Sequence, residues 1–434
     1  MAIDVRETGL EVLSQRREVG HSARVLNDGS WGFAVSNRMT EVPATVGEAS
    51  KVSSAIASSP PLDKSALATV RPVQRKFESR ASSPLGQVCP EEKTDFLKAL
   101  CSEISSADSR ISTCKASYRD FTGTRVTVTS EGTAVESEVS MLYLMTAVSA
   151  KSSGVLASAR DEIGVASGGW EHFERNETIE AISERLLRRV RQQLEGVSCK
   201  PGTYPCVLAP RVVGMLAHEA LGHLSEADFF SSGAFSRFEG KKIAPDYVTM
   251  VDSPKMPNGF GNIQVDEEGV LPRKVSLIRD GILEDQMTNR EWAKRLGRKP
   301  TGNARAESYR VPPIIRMRNT YFEPGDMSFE ELFEGKKFGY LCTDVRGGQA
   351  EANSSFQVGI QECFEIRNGE VSRPVRDLAI SGIAVKSLSL IDGIGKDFGF
   401  ESSYCGKMGQ ASPTSDGGPH MSLRKGAIVF GGAG

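Results

Sequence analysis

Two histidines and a glutamate lie within one short run of the chain, His218-Glu219-Ala220-Leu221-Gly222-His223. A regular α-helix turns by about 100° per residue, so side chains five positions apart point about 140° away from each other. His218 and His223 therefore reach a common ligand only if the helix is distorted, by a π-bulge or by an early end. Gly222 favours such a distortion because it has no side chain to restrict its backbone. The alternative is two unrelated helix histidines, one buried and one solvated.

The residue types in this run suit a metal site. Imidazole is a ligand of Zn²⁺, and a carboxylate beside the metal can accept a proton from water, as in H-E-x-x-H metallopeptidases. The spacing here is one residue longer, so the motif alone leaves the metal site and the unrelated histidines open. A catalytic zinc needs a third protein ligand. The candidates are Cys405, Glu226, Asp228 and His420.

Cys405 lies in the glycine-flanked segment Ser403-Tyr404-Cys405-Gly406-Lys407, where a thiolate meets little steric obstruction. We expect Lys407 to favour the thiolate over the thiol. A buried cysteine in a tight loop is the structural alternative. All eight cysteines are scattered without CxxC pairs, which argues against a disulfide framework or a zinc ribbon.

A chain of 434 residues exceeds the size of a typical single core, so we expect two domains. The pattern predicts an α+β protein, with an N-terminal α/β domain over residues 1–197 and a mainly β domain over residues 198–434. Helices are predicted near 46–57, 91–107 and 177–195, and an antiparallel meander over 124–165. The second half shows one helix, which carries the histidines, followed by short strands between glycines, prolines and aspartates.

Composition excludes several classes of protein. The hydrophobic fraction of 39% and the charged fraction of 25% are ordinary for a globular protein, and no apolar run is long enough to span a membrane. The net charge of −2 comes from well-mixed acids and bases, so neither nucleic acid nor an anionic membrane is an expected partner. No secretory signal is visible at the N-terminus, and the cytoplasm is the expected location.

Seven segments of the chain form a set of motifs: His218 to Asp228, Thr301 to Arg305, Arg316 to Tyr321, Pro324 to Asp326, Gly347 to Gln349, Cys405 to Gln410 and Gly431-Gly432. In order and spacing, over most of residues 20–434, they resemble the motifs of the TldD/PmbA metallopeptidase family, the modulators of DNA gyrase, and specifically of its metal-binding TldD branch. The resemblance implies that His218, His223 and Cys405 bind zinc and that Glu219 is the general base. It also implies a barrel-like C-terminal domain that carries the metal, and a homodimer or a heterodimer with a related non-catalytic chain, enclosing unfolded peptides.

The predicted function is therefore a zinc-dependent peptidase that hydrolyses unfolded or small peptides. The alternative is a non-catalytic peptide-binding scaffold or a subunit of a two-chain protease assembly. A weaker alternative, a thiol-dependent hydrolase that uses Cys405 with His420, leaves the two motif histidines without a role. Substrate chains are expected to pair through their main chain with an exposed strand.

Other residues carry two interpretations each. Glu226 and Asp228 either orient an imidazole or form a solvated acidic helix end. Arg305, Arg316 and Asn319 either bind the substrate or form surface ion pairs.

Overall fold

The computed structural model describes residues 1–58, 64–79, 81–231, 233, 235–351 and 353–432. The fold is mixed α+β, as predicted, with several sheets and short helices. None of the helices described is both long and apolar enough to cross a membrane.

The described residues of the first half form one six-stranded sheet, a separate hairpin and four α-helices. The sheet has the order β2-β1-β6-β7-β5, with β8 also paired to β7. Its pairs are antiparallel except β5 with β7, which is parallel. The elements are β1 (Ala2–Arg6), β2 (Gly9–Ser14), β3 (His21–Asn27), β4 (Ser30–Ser36), α1 (Val42–Ala57), β5 (Gln74–Phe77), α2 (Pro90–Ala107), β6 (Ile111–Val128), β7 (Ala134–Ser152), β8 (Val155–Ala166), α3 (Glu171–Arg175) and α4 (Ile179–Glu195).

Sequence periodicity explains the core of this half. Alternate residues of β7 are buried on one face, from Leu142 to Ala150. They pack with α2 and α4, and α4 buries Ile182, Leu186 and Val190 at helical spacing. The three predicted helices and the β6-β7-β8 meander are confirmed, although β6 begins at Ile111, well before the predicted start of the meander.

The second half is mainly β. Its elements are β9 (Val197–Ser198), β10 (Gly202–Thr203), β11 (Cys206–Leu208), α5 (Pro210–Met215), a π-helix (Leu216–Gly222), α6 (Ala227–Phe230), β12 (Met250–Ser253), β13 (Val275–Arg279), β14 (Ile282–Leu283), α7 (Arg290–Arg295), β15 (Ala304–Arg305), β16 (Ile314–Ile315), β17 (Asn319–Phe322), β18 (Phe338–Ala350), β19 (Ser355–Arg367), β20 (Glu370–Arg376), β21 (Leu378–Ile383), α8 (Ala384–Ser389), β22 (Ile391–Ile394), β23 (Gly399–Lys407), β24 (Gln410–Gly418), β25 (Met421–Leu423) and β26 (Val429–Gly432).

Two large sheets organise this half. One has ten strands, with the main order β10-β26-β21-β19-β18-β11-β25-β22, and the other has six, in the order β14-β13-β12-β17-β24-β23. Both are open within the described residues, so the expectation of a barrel-like domain was wrong. A sheet closes into a barrel when its two outer strands pair with each other. The outer strands here, β10 and β22 in one sheet and β14 and β23 in the other, do not. The helix formed by α5 and the π-helix packs between them, against β18 of one sheet and β24 of the other.

Candidate metal centre

The helix that carries the motif is distorted where the spacing requires it. Leu216–Gly222 forms a π-helix that continues α5, and the backbone N–H of His223 donates to the carbonyl oxygen of His218. A hydrogen bond across five residues brings these two side chains round to the same side of the helix. Their ring centroids are 5.0 Å apart and their planes stand at 89°. The predicted distortion around Gly222 is confirmed.

Two glycines let this helix approach its neighbours closely. A Cβ atom on Gly222 would lie 2.1 Å from the Sδ atom of Met317. One on Gly214 would lie 2.5 Å from the carbonyl oxygen of Asp416, on β24. Any larger residue would push the helix away from the segments that complete the site.

Cys405 completes a three-residue cluster. Its Sγ atom lies 3.2 Å from Nε2 of His218 and 3.3 Å from Nε2 of His223. One candidate ligand atom from each of the three residues lies within 4.8 Å of the others. His420 is engaged elsewhere, since its Nδ1 atom hydrogen-bonds Asp397 at 2.7 Å. Of the four candidates for a third ligand, Cys405 is the one that the structure brings to both motif histidines.

Each imidazole is oriented by a buried carboxylate on its other nitrogen. Nδ1 of His218 lies 2.9 Å from Oδ1 of Asp416, and Nδ1 of His223 lies 3.2 Å from Oε2 of Glu226. A carboxylate at Nδ1 leaves Nε2 free to face a metal, and such partners are common around ligating histidines. Sequence reasoning proposed Glu226 for this position but missed Asp416. Asp416 could be found only from the register of the β23–β24 hairpin, and the sequence alone does not define that register.

Lys407 does not face the thiol, contrary to expectation. Its Nζ atom pairs with Glu226 at 3.0 Å and with Asp228 at 2.8 Å, and it donates to the carbonyl oxygen of Ile315 at 3.1 Å. Asp228 therefore pairs with the lysine, while Glu226 joins the lysine to His223. The solvated-helix-end interpretation is wrong for Glu226, which is fully buried.

The imidazoles determine the charge of Cys405. Burial raises the pKa of the thiol, but His218 and His223 outweigh burial and lower the pKa to about 5. Burial lowers the pKa of His223, yet Cys405 and Glu226 raise it to about 9. Burial likewise opposes a raised pKa at His218, where Asp416 and Cys405 prevail. The cluster therefore favours a thiolate, the form of cysteine that binds metals.

Three polar residues proposed to bind substrate are buried instead. Arg316 donates to the backbone carbonyls of Cys405 and Gln410 and so holds the hairpin that carries the sulfur. Arg305 donates to the carbonyl oxygen of Met317 at 2.6 Å, and the side-chain nitrogen of Asn319 donates to that of Ser253 at 2.8 Å. The interpretation as surface ion pairs was therefore wrong for these residues.

Glu219 follows His218 on the π-helix and is half-buried. Its Cγ atom would lie 3.1 Å from a Cβ atom on Gly348, an exposed residue of β18. The glycine therefore leaves space over the side chain of Glu219. The structure places the glutamate beside a histidine of the cluster and next to an exposed strand.

Comparisons with known proteins identify the family. A model of the PmbA/TldA metallopeptidase C-terminal domain matches residues 201–429, and the central-domain model matches residues 83–194. The zinc metalloprotease TldD homolog of Saccharolobus solfataricus is 33% identical over 410 residues, covering 94% of this chain and 89% of that protein. A metalloprotease of Methanothermobacter thermautotrophicus is 34% identical over 436 residues, covering 98% and 92%. The chain belongs to the TldD/PmbA metallopeptidase family.

Membership in the TldD/PmbA family confirms the resemblance found in the sequence and makes the chain a metallopeptidase. Solved structures share the fold. A putative modulator of a DNA gyrase from Thermotoga maritima superposes with a TM-score of 0.77 at 20% identity, covering 99% of this chain and 93% of that one. TldE from Thermococcus kodakarensis gives a TM-score of 0.75, also at 20% identity, with coverage of 99% and 94%.

Proposed function

We propose that this chain is a zinc-dependent peptidase that hydrolyses unfolded or small peptides. His218, His223 and Cys405 would hold the zinc, and Glu219 would be the general base. The observation that carries the proposal is the convergence of two Nε2 atoms on one thiolate, with Glu219 beside them on the same π-helix.

The donor set suits zinc. Imidazole nitrogen and cysteine thiolate are standard zinc ligands, and three protein ligands are the usual number at a catalytic site. Tetrahedral bonds to one nitrogen and one sulfur would separate these two atoms by about 3.6 Å. The observed separations of 3.2 and 3.3 Å are within a few tenths of an ångström of that value. A small outward shift of the side chains would admit the ion.

The residues of the site divide the chemistry between them. A bound zinc ion supplies Lewis acidity, which polarises the scissile carbonyl and lowers the pKa of water. The carboxylate of Glu219 accepts the proton of the attacking water and then donates it to the leaving amine. Asp416 and Glu226 hold the imidazoles with Nε2 facing inward. Arg316 fixes the backbone of Cys405.

The edge of β18 is where we place the substrate. β11 pairs with this strand only at Tyr340–Cys342, and beyond Cys342 no other described strand pairs with the edge opposite β19. Gly348, on this free stretch, lies next to Glu219. An extended peptide added to this edge would bond through its main chain, which suits unfolded chains of varied sequence.

We also propose that the chain works in a two-subunit assembly, as a homodimer or with a related non-catalytic chain. Support comes from the end of β6 beyond its pairing with β1, where Phe121, Val126 and Val128 expose half or more of their side chains. Exposed apolar residues on a strand segment that is paired on one edge only, here with β7, favour a protein partner. Light scattering on the purified chain would report the mass, and a strictly monomeric yet fully active enzyme would contradict the assembly.

Two other functions are less well supported. A non-catalytic scaffold needs no converging histidines and thiolate. A thiol-dependent hydrolase needs Cys405 beside His420, and His420 hydrogen-bonds Asp397 instead.

Metal analysis of protein purified without added zinc tests the proposal. We expect about one zinc per chain, because the ligand set can hold one ion. His218→Ala and His223→Ala should each abolish it. As a control, His420→Ala should keep the zinc, since His420 lies outside the cluster. Full zinc occupancy in both motif variants would rule out this site.

A further inference from the structure

One arginine that contacts the end of β18 has no role in the chemistry above. Arg160 lies on β8, in the first half of the chain, and its Nη2 atom would be 3.3 Å from a Cβ atom on Gly347. Gly347 is the neighbour of Gly348, over which Glu219 lies. Arg160 and Glu219 therefore contact consecutive residues of β18, about 3.8 Å apart between Cα atoms, whose side-chain positions point to opposite faces of the strand.

The guanidinium is oriented and has free donors. Its Nε atom pairs with Oε1 of Glu162 at 3.2 Å, and the other oxygen of Glu162 accepts a hydrogen bond from the hydroxyl of Tyr143 at 2.6 Å. Within the described residues neither Nη atom of Arg160 has a hydrogen-bond partner. Its side chain keeps 43% of its surface exposed. Glu162 therefore restrains the guanidinium at Nε and leaves its two Nη atoms available as donors.

The backbone under Arg160 is held rigidly. Its N–H donates to Oε1 of Gln361 at 3.0 Å, and its carbonyl oxygen accepts from Nε2 of Gln361 at 2.9 Å and from Arg189 at 3.0 Å. Gln361 lies on β19, so the clamp joins the two halves of the chain. A small cavity continues from Arg160 past Met215, Val345 and Ser403. Met215 packs with Glu219 against Gly348, so this cavity adjoins the catalytic position.

We propose that Arg160 is a specificity-determining residue that binds a carboxylate of the peptide lying along β18. Arginine binds carboxylates through two parallel N–H···O bonds, and its two free Nη donors match that geometry. The carboxylate belongs either to the C-terminus of the peptide or to an aspartate or glutamate side chain. This inference rests on the proposed function, because it requires a peptide on the β18 edge.

Matched peptides separate the two sources. One short, fluorescently labelled, unstructured peptide is prepared with a free or an amidated C-terminus, and each form with an aspartate or an asparagine near its end. Affinity is measured by anisotropy on zinc-loaded Glu219→Gln protein, and KM and kcat on the otherwise wild-type enzyme. We expect about tenfold tighter binding of one carboxylate form, the low end for a charged hydrogen bond because the site is half-exposed.

Variants then assign the preference to Arg160. Arg160→Gln should remove it by raising Kd and KM about tenfold for the carboxylate peptide, with kcat unchanged. Arg160→Lys should restore it in part, because the charge remains but the fork is lost. The control is Arg119→Gln, which removes an arginine of nearly the same exposure, 44% against 43%, paired with Asp4 on the same sheet. It should keep the full preference.

The two hypotheses fail differently. A wild-type enzyme that hydrolyses all four peptides equally, or an Arg160→Gln variant that keeps the preference, would overturn the role of Arg160 and leave the peptidase intact. Loss of all hydrolysis in fully zinc-loaded wild-type protein would overturn the peptidase, while the anisotropy measurements would still decide on Arg160.

Discussion

At the scale of single residues, the orientation of two imidazoles determines whether the site can bind a metal. Asp416 and Glu226 occupy both Nδ1 atoms, so both Nε2 atoms face the sulfur. The two carboxylates come from different elements, β24 and the turn before α6. The ligand geometry therefore depends on the hairpin and the helix keeping their relative positions.

Asp416→Asn tests this orientation. The amide keeps the size of the side chain but loses the negative charge that holds His218, and we expect zinc affinity to fall about 10–100-fold. Competition with a chromogenic chelator measures it. Asp397→Asn is the matched control, because Asp397 also pairs with a histidine, His420, outside the cluster. Equal zinc affinity in both variants would show that Asp416 does not orient the ligand.

Part of the site was predictable from the sequence. His218, Glu219 and His223 stand in one short run, so both the metal-binding residue types and the need for a distorted helix follow from the local sequence. Asp416 lies 198 positions from its histidine, and no local pattern links the two. Lys407 was placed near the thiol by sequence proximity, but side chains two apart on a strand need not share partners.

At the scale of elements, the π-helix is the feature on which the site depends. Its hydrogen bond from the N–H of His223 to the carbonyl oxygen of His218 turns the second imidazole to the same side of the helix as the first. Gly222 permits it, because Met317 occupies the space where a side chain would lie.

Gly222→Ala should destabilise the protein and weaken metal binding together. The added methyl group would meet Sδ of Met317, and overpacking of this kind costs about 1–3 kcal/mol. Urea unfolding and zinc titration measure the two effects. Gly47→Ala, inside α1, meets nothing within 4 Å. It should raise the free energy of unfolding by about 0.5–1 kcal/mol, since alanine favours helix. A Gly222 variant as stable as the Gly47 variant would contradict this packing.

Strongly periodic elements were the ones that sequence predicted well. α4 shows apolar residues at three- and four-residue spacing, and the structure buries them as expected. The beginning of β6 was missed because Ser112 to Thr122 mixes polar residues with few buried ones. The open sheets could not be read from strand content, because closure depends on which edges pair.

At the scale of the whole molecule, a buried charge network joins the two halves. Arg189 on α4 pairs with Asp161 on β8 at 2.9 Å and with Asp344 on β18. Arg211, at the start of α5, pairs with both aspartates as well. Burial raises the pKa of Asp161, but the surrounding arginines hold it well below its usual range. The network therefore ties the helix of the metal cluster and the proposed substrate strand to the first half.

Arg189→Met should destabilise the fold strongly. Removing the positive partner leaves buried carboxylates whose negative charge is no longer balanced. This lowers the free energy of unfolding by about 3 kcal/mol or more. Arg191→Met on the same helix is the control. Arg191 is 42% exposed, and its partner Asp108 also pairs with Arg110, so the loss should stay below about 1 kcal/mol. Similar urea midpoints for the two variants would contradict the role of the network.

The peptidase mechanism is tested most directly by Glu219→Gln. The substitution keeps the volume and leaves both imidazoles and the thiolate in place, so we expect zinc content to remain at about one per chain. Hydrolysis of an unstructured peptide should fall by about 10²–10⁴, because the proton acceptor is lost. Cys405→Ser should instead lower zinc affinity and activity together, since a hydroxyl replaces a soft thiolate. Wild-type hydrolysis by Glu219→Gln at full zinc occupancy would contradict the assignment of Glu219 as the base.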